Sequence, residues 1–243
     1  MLENIRSIIL RTVKFGDSSI IVDMLSDDYG RMSAVWRLPR SGKSRGKVSR
    51  NVFQPLTICD LTIERSGASK LPLIKDAHIA VPYVSLNVDP VKVSVAFFLA
   101  EFLCQVTHEG QRDSSLFDFT ELMLKWYDLV ESHAANFHLM FLVKASLYLG
   151  FCPNMETYHD GDFFDMRTAE FCSLTPLHRD FLRPDEAQRI GILMRMSPAN
   201  MHLFRFNRAE RTRTIEILLR FYAIHVPGFR EMKTWDILRS LFD

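Results

Sequence analysis

The chain has 243 residues, 47% of them hydrophobic, with 30 Lys and Arg against 29 Asp and Glu. That composition excludes a disordered, collagenous or globally polycationic protein and supplies enough apolar surface for one large or two modest domains. The apolar tracts at 93–103 and 137–151 are broken by Glu101, His138 and Lys144 and fall short of the roughly 18 residues a membrane span needs. Glu3 and Arg6 do not fit a secretory leader, so a cytosolic protein with no membrane partner is expected.

The first eighty residues read as strands. Ile5–Phe15 is rich in Ile, Leu and Val and meets a Gly16-Asp17 turn, after which Ser19–Ser26 resumes the pattern. Asp27-Asp28-Tyr29-Gly30 supplies a hairpin turn, with Gly where positive φ is expected. Met32–Leu38 is a third strand, Phe53–Glu64 a fourth and Leu71–Val81 a fifth. Five short strands at regular spacing predict a small barrel of the OB type, a fold that binds single-stranded nucleic acid.

Between the third and fourth strands lies a segment without a carboxylate. Arg31, Arg37, Arg40, Lys43, Arg45, Lys47 and Arg50 all fall in residues 31–50, with no Asp or Glu among them. Its second half is rich in Ser and Gly, which favour a loop. Thirteen of the thirty cationic residues, but eight of the twenty-nine anionic ones, lie in residues 1–80. A cationic loop between apolar strands suits a polyanion, because Lys and Arg neutralise phosphates and release condensed counterions. The blander reading is a solvated loop that keeps the protein soluble. Trp36, flanked by Arg31, Arg37 and Arg40, has two readings, a base-stacking ring or a core aromatic of the barrel.

Pro82 and Pro90 bracket a connection, and the period then becomes helical. Helices are predicted over Val93–Thr107, Leu116–Glu131 (with Asp113 or Ser114 as N-cap), Ala134–Gly150, Pro184–Met196, Ala209–His225 and Lys233–Phe242. Residues 152–183 read as an irregular insertion. The expected architecture is α+β, all-β then all-α. An OB domain over 1–82 precedes a helical domain over 83–243.

Chemical constellations are sparse. Cys152, His159, Cys172 and His178 are all zinc-ligand types, but none of them forms a close pair. Packing or surface roles are the expectation, with no metal. Asp160, Asp162 and Asp165 lack the Gly and terminal Glu of an EF-hand loop. The usual hydrolase, metalloprotease, nucleotide and dinucleotide signatures are absent, so no catalytic residue and no cofactor are assigned. A second basic cluster, Arg205, Arg208, Arg211 and Arg213, opens the fifth helix. It is either an exposed face partly paired with Glu210 or a contact for DNA or an acidic partner.

Residues 8–22, IILRTVKFGDSSIIV, together with Tyr29-Gly30-Arg31-Met32-Ser33 and the basic loop, resemble the opening of the RecO family of bacterial recombination mediators. Phe53-Gln54-Pro55-Leu56, Phe98–Leu103, Asn136-Phe137-His138, Leu149-Gly150-Phe151, His225–Phe229 and Lys233 extend the resemblance in order over essentially the whole chain. The resemblance implies an OB-fold followed by a helical domain, in a cytoplasmic, nucleoid-associated protein. It also implies binding to single- and double-stranded DNA, annealing of complementary strands, and action with RecR to load RecA on DNA coated by single-stranded DNA-binding protein. The acidic C-terminal tail of that coating protein is an implied partner of the helical domain. Relatives often carry a four-cysteine zinc module after the central helix. This chain has only Cys152 and Cys172 there, and no zinc is carried over.

On this reading the barrel contacts DNA through Arg31, Arg37, Arg40, Lys43, Arg45, Lys47 and Arg50, joined by Arg11 and Lys14. Two alternatives are a scaffold that docks acidic proteins without bare-DNA affinity and an RNA-binding OB protein.

Overall fold

A computed structural model describes residues 1–38, 50–65, 67 and 71–241. The chain forms two compact units, one of Met1–Leu129 and Met232–Leu241 and one of Val130–Glu231. The change from strands to helices falls near residue 80–90, whereas the units divide at 129/130 and 231/232.

In the first unit, β1 (Leu2–Phe15), β2 (Ser19–Ser26), β3 (Gly30–Arg37), β4 (Ile58–Glu64) and β5 (Leu73–Ile79) close into a barrel in the order β1-β2-β3-β5-β4. Every pairing is antiparallel except β3 with β5. A register shift between Ile9 and Arg11 lets β1 serve both neighbours, pairing with β4 over Leu2–Ile8 and with β2 over Ser7–Phe15. Alternation then sets the faces. Ile5, Ile9, Ile20, Val22, Met24, Ala34 and Trp36 turn inward with Phe53, Leu61 and Ile63. Gly30 sits at φ +66, and a Cβ there would lie 1.8 Å from the Gln111 carbonyl oxygen. The turn therefore needs glycine for its conformation and for the close approach of a second backbone.

Helices α1 (Pro90–Val106), α2 (Ser114–Leu129) and α6 (Lys233–Leu241) pack in the same unit. Asp89 caps α1 by accepting from Val91 N and Lys92 N, and Pro90 at the first position gives up a donor that would be orphaned anyway. Arg6 holds α2 to the barrel through a two-point pair with Glu121, at 2.8 and 3.0 Å. Glu101 on α1 accepts from Lys233 N, Thr234 N and Thr234 Oγ1, which fastens the start of α6, and Trp235 packs on Phe98 at 6.3 Å.

The connection into α1 is organised by two buried charged residues, Asp128 and Lys92. Asp128 accepts from the backbone N–H groups of Val84, Ser85 and Leu86, while Lys92 Nζ donates to Ser85 Oγ and to the Asp128 carbonyl. Asp128 and Lys92 are 5% and 9% exposed. Burial opposes ionisation of Asp128, but the three N–H donors and Lys92 outweigh it and hold the carboxyl below its usual range.

The second unit is built on α3 (Phe137–Tyr148), whose residues 137–143 are all buried. With it are α4 (Pro184–Arg195) and α5 (Arg208–His225). Residues 152–183, expected as an irregular insertion of a hairpin plus turns, contain the antiparallel pair β6 (Phe163–Asp165) and β7 (Glu170–Cys172), joined by β8 (Phe181–Leu182) in a small sheet of order β7-β6-β8. Its core is aromatic. Phe164 packs on Phe171 at 4.9 Å and on Phe221 at 5.8 Å, and Phe151 stacks on His225 at 4.8 Å.

Candidate nucleic-acid interface

The barrel places the expected cations unequally. Arg11 and Lys14 on β1 and Arg37 at the end of β3 are exposed. Arg11 Nε donates to Asp23 Oδ2 at 2.6 Å, and Ser33 Oγ donates to Asp23 Oδ1 at 2.6 Å. The Asp23 charge is thereby offset, while the Arg11 side chain stays 63% exposed. Lys75 hydrogen-bonds Glu64 at 2.8 Å and, with the N-terminal ammonium and Arg37 further off, holds that carboxyl below its usual range.

Arg31 is differently engaged. Its guanidinium donates to the Cys104 carbonyl near the end of α1 and lies 3.7 Å from Glu109. A cation at a helix C-terminus is favourably placed against the helix dipole, so Arg31 ties β3 to α1 instead of facing outward. Trp36 corrects the stacking expectation. It is 6% exposed, and its ring sits 5.5 Å from Phe53 inside the barrel, so it offers no face to a base. Inward alternation with Ile20 and Val22 is the physical reason. Arg50 opens the 3-10 turn Arg50–Phe53. Arg40, Lys43, Arg45 and Lys47 lie outside the described residues.

The second basic cluster divides. Arg213 on α5 pairs with Glu186 of α4 at 2.6 Å and with Glu216 at 3.4 Å. Arg208 is exposed beside the capping box formed by Asn207 and Glu210. Arg205 and Arg211 instead line a cavity of about 600 Å³ with His133, Asn136, His202 and Phe204. Arg211 donates to the Phe206 carbonyl. Asn136 is 5% exposed, and its Nδ2 donates to the Phe204 carbonyl at 2.7 Å. Its Oδ1 has no hydrogen-bond partner among the described residues. Burial and nearby Arg211 depress His138 to about 3, so that imidazole adds no positive charge. Sequence reasoning found the arginines through their charge but missed His133, Asn136 and His202, which are separated by up to 70 residues and meet only in the folded chain.

The insertion does not fit a zinc module. Cys152 Sγ lies 3.9 Å from Met194 Sδ, and Cys172 Sγ contacts the Leu174 carbonyl at 3.3 Å. His159 pairs with Asp162 and His178 with Asp165. Among the described residues no three His, Cys, Asp or Glu side chains converge on one point, and packed aromatic rings hold this segment.

A closed five-stranded barrel in this strand order, followed in the chain by helices, defines an OB-fold protein. Comparison with known proteins is more specific. The family model Recombination protein O N terminal matches residues 1–83, and Recombination protein O C terminal matches residues 87–234. A DNA repair protein RecO of Phocaeicola vulgatus is 41% identical over 242 residues, covering 100% of both chains. One of Bacteroides fragilis is 40% identical over 244 residues with the same coverage, and one of Porphyromonas gingivalis is 33% identical over 245 residues, covering 98% of each. The chain belongs to the RecO family of bacterial DNA repair and recombination proteins. No helix among the described residues is long and apolar enough to cross a membrane.

Proposed function

We propose that this chain is a recombination mediator that binds single- and double-stranded DNA, anneals complementary strands and, with RecR, helps load RecA on DNA coated by single-stranded DNA-binding protein. The observation that carries this reading is the carboxylate-free cationic segment that leaves the barrel at Arg37 and returns at Arg50. Exposed Arg11 and Lys14 lie on the neighbouring hairpin. Phosphate contacts of this kind carry no sequence information and weaken steeply with salt. Annealing then proceeds without bond chemistry. Cations screen two strands from each other, and base pairing supplies the free energy.

The test is binding of a labelled oligonucleotide across a salt series beside a strand-annealing assay. Salt-steep binding with accelerated annealing is the expected result. Absence of binding at low salt would move the function to acidic protein partners, and a preference for RNA over DNA of equal length would favour an RNA-binding role.

For the acidic tail of the single-stranded DNA-binding protein, the cavity of the second unit is the site we favour. Arg205 and Arg211 suit its carboxylates, Asn136 Oδ1 suits a peptide N–H, and Phe204 suits an apolar end. Arg205→Glu is expected to weaken a tail peptide by about tenfold while leaving oligonucleotide binding unchanged. Isothermal titration with the peptide checks it, and equal affinities would place the tail elsewhere.

A further inference from the structure

Asn136 stands at the N-cap position of α3, where an asparagine ordinarily turns its Oδ1 onto a backbone N–H two or three residues further on. Its side chain makes no such bond. Instead Nδ2 donates to the Phe204 carbonyl at 2.7 Å, which leaves Oδ1 without a hydrogen-bond partner among the described residues, although Asn136 is 5% exposed. Exchanging the amide oxygen and nitrogen would press two oxygens together at that distance, so Phe204 fixes the orientation. A buried carbonyl oxygen that forgoes a helix cap is costly, and this one sits on the wall of the cavity of about 600 Å³. The same wall carries Arg205 and Arg211, with the His133 and His202 rings 6.5 Å apart. No Asp or Glu among the described residues lines it. A ligand there meets cations together with one buried hydrogen-bond acceptor.

We infer that Asn136 is the residue that makes this cavity read a peptide and refuse a phosphate, its Oδ1 accepting a main-chain N–H beside a carboxylate held by Arg205 and Arg211. The inference rests on the acidic-tail reading above and deepens it. Arginines alone would take either anion, since carboxylate and phosphate both match a guanidinium. The acceptor separates them. A peptide offers a backbone N–H next to each side-chain carboxylate, whereas a phosphodiester offers oxygens only. An oxygen set against Oδ1 leaves both unpaired and mutually repelling. A cationic ligand that could donate to Oδ1 is turned away by the two arginines. The protein's two cationic regions are thereby assigned to different anions, the segment between β3 and β4 to DNA phosphates and this cavity to peptide. DNA held by the first does not compete for the second.

The experiment uses the full chain and a fluorescent peptide of the acidic C-terminal tail, with each backbone amide replaced in turn by an ester, which removes a single N–H. One ester is expected to bind about tenfold more weakly than the parent peptide, and the others within about twofold of it. Asn136→Ala should lower affinity for the parent about tenfold and respond no further to that one ester, so that the two losses do not add. A merely structural part for Asn136 would lower all peptides alike and leave the penalty of that ester intact. Sodium tripolyphosphate should displace the bound peptide no better than sodium chloride at equal ionic strength. If every ester binds like the parent, or tripolyphosphate displaces the peptide beyond the salt control, the inference is wrong while the tail site stands. No binding of the parent, or parent binding that Arg205→Glu leaves untouched, sinks the tail reading itself. Should Asn136→Ala fail to fold, the ester series and the tripolyphosphate competition on the wild-type chain still decide.

Discussion

Replacing Lys43, Arg45 and Lys47 together with alanine is expected to lower affinity for single-stranded DNA about a hundredfold at 0.1 M salt. Each phosphate contact releases about 0.7 counterion from a single strand, so three lost contacts should flatten the logarithmic salt slope by about two units. On a duplex, with about 0.9 per contact, the slope should flatten by nearly three. Anisotropy titrations between low and moderate salt measure both. A slope unchanged on either substrate would remove these lysines and arginine from the interface. The effect should exceed that of Arg11, whose guanidinium already serves Asp23. It should also exceed that of Arg31, which is occupied by the Cys104 carbonyl and Glu109.

Asp128→Ala is expected to destabilise the first unit by about 3–5 kcal/mol, since each buried donor left without its acceptor costs roughly 1–3 kcal/mol. Three backbone N–H groups lose their acceptor, and Lys92, 9% exposed, keeps its charge without the carboxylate. Chemical denaturation at neutral pH measures the loss, and a change below 1 kcal/mol would mean that water replaces the carboxylate. The pH dependence has a definite sign. Because the folded carboxyl is held below its usual value, its contribution is complete above the unfolded carboxylate range, near 4. It fades as the pH falls through the folded value. Asp128→Asn should therefore differ most from the wild type at neutral pH and approach it in acid.

What the sequence makes legible follows the length of each pattern. An eight-residue run rich in Ile, Val, Met and Leu at Ser19–Ser26 and a glycine turn at Gly30 suffice for β2, and of the two candidate caps, Asp113 and Ser114, it is Asp113 that accepts from Leu116 N, at 2.9 Å. The predicted fourth strand began at Phe53, whereas β4 begins at Ile58. The apolar run hides a 3-10 turn over Arg50–Phe53 and a left-handed Leu56, at φ 62. Helix α1 begins at Pro90, three residues before its predicted start, because the Asp89-Pro90 cap precedes the apolar periodicity. Strands of two or three residues, as in β6, β7 and β8, are too short to show a period at all. The interface follows the same logic. Cationic residues are visible as composition, but whether each is spent inside the fold, like Arg31 and Arg213, depends on partners far away in sequence.

The tie between Glu101 and the start of α6 has a consequence for how the protein is made. The chain leaves its first unit at Leu129 and returns to it at Met232. At a ribosome adding about 5–20 residues per second, the intervening hundred or so residues take roughly 5–20 s to emerge. During that interval Phe98 lacks its Trp235 neighbour and the Glu101 carboxylate lacks its three donors. The stretch Val130–Glu231 of the second unit has emerged before the first unit recovers Met232–Leu241. The barrel with its helices thus waits, partly uncovered, until Met232–Leu241 has emerged.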